Sequence, residues 1–284
     1  MDPLLRGALA LSLVSLLTRA AELHHPRAVA AVLHGPVARE PAHQPDPRDR
    51  GAPCPRATLP DGNVCIPVPD PDALGSARAL VEEQNEHHDR TGRLRVYDQI
   101  PLRPDRPKDF RKYHLPVPVL PDQSFVTSGY DLDRPDAEQR RGAELSAVGH
   151  GGVDLAQARG TPVRLVNLEN QVGDAAVLAV GHLFGNSVVI QHTLREGSAL
   201  REYLVIYGHL DSAAPGLSHG QTLKAGALLG YVGDSGSPGV VHLHYEVRRA
   251  REGVDAGTLP LGQVNQNAKT VACDPRNVLE LVSP

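Results

Sequence analysis

The chain has 284 residues, with 29 Lys and Arg against 33 Asp and Glu and a formal charge of -4. That balance, without any long basic block, excludes a nucleic-acid footprint. With 27 Gly, 25 Pro, 3 Phe and no Trp, the composition favours short strands, tight turns and extended linkers over a helical bundle, and the length allows one core of roughly 100–150 residues.

Residues 1–21 read as an export signal. Arg6 precedes an apolar run from Gly7 to Leu17, and the small residues Ala20 and Ala21 follow as a cleavage site. The run is about half of the ~20 apolar residues a membrane-spanning helix needs, so cleavage is expected rather than a retained anchor, and no stable membrane insertion thereafter. In the secreted or periplasmic space that this implies, Cys54 and Cys65 can bridge a loop around Pro60-Asp61-Gly62, with Cys273 left over. Three reduced thiols are the alternative.

Residues 22–121 are expected to form an irregular N-terminal arm. The stretch from Glu22 to Pro71 lacks periodicity, the spacing of Leu74, Ala77, Leu80 and Val81 predicts one exposed helix within Asp72–Arg90, and the prolines from Pro101 to Pro121 predict an extended linker with a domain boundary near its end. His87 and His88 point in different directions on such a helix and make poor joint ligands.

Residues 122–284 change character. Candidate strands are Phe125–Ser128, Pro162–Asn167, Ala176–Val180, Ser187–His192, Glu202–His209, Ala227–Val232 and Val241–Val247, and Asn277–Val282 looks helical. The fold class expected is all-β, an antiparallel β-sandwich or half-barrel.

Three pieces of this region carry imidazoles and a carboxylate: His150-Gly-Gly-Val-Asp154, Tyr207-Gly-His209-Leu210 and His242-Leu-His244-Tyr-Glu246. Side chains alternate along a strand, so His242 and His244 share one face while Val241, Leu243 and Tyr245 face the other. His150 and Asp154 are also an even number of residues apart and face one way if the glycines between them are extended. Two imidazoles and one carboxylate form a set suited to Zn²⁺, with a fourth position left open as in catalytic rather than structural sites. Glu246 is either a partner of a ligand or a surface carboxylate. His182, His192 and His219 fall outside the motifs.

The residues from about Phe125 to Glu280 resemble the lysostaphin/LytM-type zinc metallopeptidases. The likeness is ordered: Phe125–Tyr130, His150–Asp154, Gly160-Thr-Pro-Val163, Gly185–His192, Tyr207–Leu210, Gly226–Gly230, Gly233–Gly236 and His242–His244 follow one another as in that family. The resemblance implies one Zn²⁺ per chain held by His150, Asp154 and His244, with His209 and His242 as catalytic imidazoles. His242 is favoured as general base and His209 as oxyanion donor, although the sequence does not order them. It also implies an endopeptidase that cuts peptide bonds of bacterial peptidoglycan, with peptidoglycan peptides as partner and a monomeric state. A non-enzymatic peptidoglycan-binding module that regulates a cell-wall amidase is the alternative, and a zinc-stabilised structural domain a third reading. His114 is a further candidate for the fourth zinc position. Departures from the family pattern lie at Asp131–Val148, Thr193–Arg201 and Asp211–His219, loops expected to line the cleft.

Overall fold

A computed structural model describes residues 58–61, 64–67, 79–88, 92–121, 125–132 and 149–282. The expected export signal and Cys54 lie outside these residues; Cys273 is free and buried.

The described strands are β1 (Thr58–Asp61), β2 (Val64–Pro67), β3 (Glu83–His88), β4 (Leu94–Ile100), β5 (Val126–Ser128), β6 (Gly152–Ala156), β7 (Pro162–Arg164), β8 (Ala175–Leu183), β9 (Gly185–Glu196), β10 (Ala199–Ala213), β11 (Thr222–Leu223), β12 (Leu228–Val232), β13 (His242–Ala250) and β14 (Thr270–Cys273). β1 and β2 form a separate hairpin. The main sheet runs β11-β8-β9-β10-β13-β14-β4-β3, with β12 joining β10 to β7 and β6 joining β13 to β5. All its pairs are antiparallel except β14 with β4, so the sheet is mixed and the fold mostly β, as expected.

β9 and β10 are long because their β-branched and aromatic runs are buried on both faces. Val188, Ile190, Tyr203, Val205 and Tyr207 enter the main hydrophobic cluster, while Val189, Leu204 and Ile206 enter a second one on the opposite face. In β13 one face, Leu243, Tyr245 and Val247, belongs to the main cluster. The other face, His242, His244, Glu246 and Arg248, is buried too but polar. Tyr207 and Tyr245 meet edge to face at 5.4 Å under the site, a contact of about 0.5–1.5 kcal/mol beyond burial.

Two predicted elements are corrected. The helix expected within Asp72–Arg90 does not form over its described part, because Glu83–His88 is strand β3, laddered residue by residue with β4. The ladder supplies the backbone bonds that a helix would have made internally. Leu80 is buried just before it, its N–H donating to Glu196 and its carbonyl accepting from Arg249. Likewise Asn277–Val282 is not helical. A single 3₁₀ turn, Pro275–Asn277, is capped by Asp274. Beyond it the chain is extended, with Leu279 bridged to Leu168 and Leu281 to Tyr113.

The proline-rich strap, residues 101–121, forms no strand and carries one 3₁₀ turn, Phe110–Lys112, capped by Asp109. It lies on the sheet: Phe110, Tyr113 and Val117 share the main cluster with Val153 and Leu243. Arg106 anchors it by donating to the carbonyls of Arg276 and Leu279 and pairing with Glu169 at 3.1 Å. Residues 193–201, expected in a loop beside the cleft, are instead the ends of β9 and β10 with Gly197 in the turn between them. Arg201 and His209 lie eight positions apart along β10, roughly 26 Å of extended strand, which takes this hairpin away from the imidazoles.

Candidate metal centre and its flanking histidines

The upper half of β13 pairs with β6, and this register sets His244 opposite Asp154 and Glu246 opposite Gly152. Close approach here requires glycine: a Cβ on Gly152 would meet the Tyr245 carbonyl oxygen at 2.6 Å. His150 stands just before β6, fixed by reciprocal backbone bonds with Asp131 of 2.7 and 3.0 Å.

Three donor atoms converge. His150 Nε2 lies 3.2 Å from Asp154 Oδ1 and 3.2 Å from His244 Nδ1, and His244 Nδ1 lies 3.0 Å from Asp154 Oδ1. Tetrahedral coordination with bonds of ~2.0–2.1 Å has ligand-to-ligand edges of ~3.3–3.4 Å, so this triangle needs to open by only a few tenths of an ångström to hold zinc. Among the described residues these three form the one group of this kind.

Each imidazole has its other nitrogen tied down. His150 Nδ1–H donates to the Gly129 carbonyl at 2.8 Å, with Ser128 Oγ 3.0 Å away. His244 Nε2 faces Glu246 Oε2 at 3.1 Å. Glu246 is buried, so the surface reading falls away; its other oxygen accepts from Arg248 at 2.6 Å, and Arg248 in turn donates to Thr270 Oγ1 and Asn267. A carboxylate behind a ligating imidazole fixes its tautomer and ring angle.

The charge pattern follows from this packing. Burial opposes the carboxylate of Asp154, yet hydrogen bonds from His150 and His244 hold its pKa well below the usual range. Burial likewise opposes a charged His244, but Asp154 and Glu246 raise it to about 9. A divalent cation held by the three would take the place of a proton on His244.

His242 and His209 flank the triangle. His242 Nε2 is 3.7 Å from Asp154 Oδ1, and the rings of His209 and His242 are 4.6 Å apart. Strict alternation along β10 would send His209 into the core with Tyr207. Instead, His209 takes a left-handed φ of 56°, and the register to β9 slips between Tyr207 and Leu210. This bulge re-aims the ring onto the polar face while Leu210 returns to the core. Burial lowers the pKa of His209 to about 4, partly opposed by the Ser235 carbonyl. Phe184, unnoticed in the sequence, places its ring 4.6 Å from that of His244.

The remaining histidines stay apart. His114, His182 and His219 are exposed, and His192 is buried in a hydrogen bond to Gln171. His88 is exposed on β3, where His87 also lies.

Residues 148–256 match the model of peptidase family M23. The chain is 28% identical over 205 residues to the peptidoglycan DD-endopeptidase ShyB of Vibrio cholerae, an alignment covering 70% of this chain and 39% of that protein. The chain thus spans about two fifths of the length of that relative. Among solved structures it is similar to a zinc containing peptidase from Vibrio cholerae, at 25% identity over 62% of this chain and 47% of that one with a TM-score of 0.34. It is also similar to lysostaphin from Staphylococcus simulans, at 24% identity over 45% of this chain and 44% of that one with a TM-score of 0.30. Both halves of the donor triangle, the His150–Asp154 motif and His244, fall inside the stretch that matches peptidase family M23.

Proposed function

We propose that this chain is an exported zinc metalloendopeptidase that hydrolyses peptide bonds in bacterial peptidoglycan, in a stem peptide or cross-bridge. The observation that carries the reading is the donor triangle of His150, Asp154 and His244, with edges of 3.0–3.2 Å, bordered by two further imidazoles. The match of residues 148–256 to the M23 family model supports peptidase chemistry, and the similarity to a peptidoglycan DD-endopeptidase supports the substrate class.

His150 Nε2, Asp154 Oδ1 and His244 Nδ1 would hold the metal. When bound, zinc supplies a Lewis acid and lowers the pKa of water towards ~7. The residues around it handle protons. His209 and His242 each present Nδ1 to a backbone carbonyl, Ser235 at 2.7 Å and Val240 at 2.8 Å. A carbonyl only accepts, so both Nδ1 atoms carry hydrogen and both Nε2 atoms begin as acceptors. His242, nearer the triangle, takes the proton from the attacking water and passes it to the leaving amine. His209 can play the oxyanion role expected of it only in a form that has taken a proton from solvent at Nε2, since the neutral ring has no hydrogen there and the water's own proton goes to the leaving amine. Phe184 and the buried face of β13 keep bulk water from the ligands.

The test uses the full chain, purified with its metal, assayed for zinc content and for amines released from peptidoglycan. About one zinc per chain with new amines is expected. Zinc without amines would leave the binding module as the better account.

A further inference from the structure

The loop between β12 and β13, residues 233–241, supplies both carbonyls that orient the flanking imidazoles: Ser235 for His209 and Val240 for His242. Asp234 lies next to the first of these residues and Gly239 next to the second. Asp234 Oδ2 accepts from the Gly239 N–H at 3.0 Å, closing the loop on itself. Two backbone bonds repeat the closure, Ser237 N–H to the Asp234 carbonyl at 2.9 Å and Val240 N–H to the Ser237 carbonyl at 3.1 Å.

The Ser235 side is pinned from outside. Ser235 Oγ donates to the Leu210 carbonyl at 2.6 Å and accepts from Asn186 N–H at 2.8 Å. Asp234 Oδ1 pairs with Arg159 at 2.5 Å, and Arg159 also reaches Asp211 at 3.1 Å. The Val240 side is held by the His242 N–H bond to the Gly233 carbonyl at 3.2 Å and, through Gly239, by the Asp234 carboxylate, which among the described residues is the one side chain besides His242 that hydrogen-bonds to it. We propose that Asp234 is a positioning residue: by tying Gly239 to the pinned Ser235 end, it sets the spacing of two carbonyls and so holds His209 and His242 in one tautomer at one separation. The inference rests on the proposed peptidase reading for its kinetic consequence but not for its structural one.

The test compares Asp234→Ala and Asp234→Asn with the parent full chain. Asparagine keeps an oxygen that can accept from Gly239 N–H but loses the charge facing Arg159. Long-range ¹⁵N NMR of the imidazoles reads the tautomers without any turnover. The parent and Asp234→Asn are expected to show Nδ1–H forms for His209 and His242, and Asp234→Ala a mixture at His242. If the chain cleaves peptidoglycan, Asp234→Ala should lower kcat by about 10- to 100-fold, with KM within about twofold and zinc content unchanged. Unaltered tautomers in a folded Asp234→Ala, or an Asp234→Asn that behaves like Asp234→Ala, would overturn the proposal. Altered tautomers in a chain without cleavage would sustain it while removing the peptidase reading.

Discussion

His244 and Asp154 are cross-strand partners in the β13–β6 ladder, with Nδ1 of one 3.0 Å from Oδ1 of the other. The ladder, not the side chains, sets this distance, so exchanging the carboxylate for an amide removes charge without moving the strands. Asp154→Asn is expected to weaken zinc binding by at least about 100-fold. His209→Ala, which removes no donor of the triangle, should retain the metal and lose cleavage by about 10²- to 10⁴-fold. Metal analysis and amine release on the two variants distinguish the roles; equal zinc loss in both would contradict them.

Glu246 would act on a bound metal through His244. Its Oε2 accepts from Nε2 of that ring, which leaves the Nδ1 lone pair for the ion, and its Oε1 is held by Arg248. Glutamine at position 246 can present an N–H to the ring and favour the wrong tautomer. Glu246→Gln should therefore weaken zinc affinity by about 10- to 100-fold in competition with a chelator. Glu246→Ala should in addition lower the melting temperature, because Arg248 would stay buried without its partner, a loss of about 3–5 kcal/mol. An unchanged affinity in Glu246→Gln would remove Glu246 from the site.

Gly152 tests whether the site depends on how closely β6 approaches β13. An alanine there must displace the Tyr245 carbonyl, 2.6 Å from the new Cβ, whereas at Gly129 a Cβ meets nothing within 4 Å. Gly152→Ala is expected to cost about 1–3 kcal/mol of stability and to weaken zinc binding as the His244–Asp154 pair opens. Gly129→Ala should leave both nearly unchanged. Denaturant unfolding with and without zinc checks both variants, and equal behaviour of the two would show that strand spacing does not matter.

Much of this site could be read from the chain because it is written in even spacings. His242, His244 and Glu246 share a face by the two-residue period of a strand, and His150 and Asp154 meet the same triangle. His209 could not be read that way, since its orientation comes from a bulge and a positive φ that alternation does not foresee. Neither could the carbonyls of Gly129, Ser235 and Val240, because a backbone acceptor leaves no mark on residue type. The β3 segment departs from its helical expectation for a related reason: Leu80 and Val81 follow the helical spacing of Leu74 and Ala77, but the polar run Glu83–His88 takes its conformation from pairing with β4, Glu83 with Gln99 and His88 with Leu94.

His192 gives the fold an acid sensitivity separate from the metal. It is buried on β9, its Nδ1–H donating to Gln171 Oε1 at 2.8 Å, while its Nε2 has no hydrogen-bond partner. Burial lowers its pKa from 6.5 to about 3. Between those two values the unfolded chain binds a proton that the folded chain refuses, so stability is full above pH ~6.5 and is lost as the pH falls towards 3. The slope from this residue alone is at most about 1.4 kcal/mol per pH unit. Glutamine can still donate to Gln171 but does not titrate. In metal-stripped protein, where zinc release adds no protons to the balance, His192→Gln should unfold with a shallower pH dependence between pH 6.5 and 4 than the parent. Denaturant midpoints across that range measure it, and parallel curves would mean that His192 is protonated as readily inside the fold as outside it.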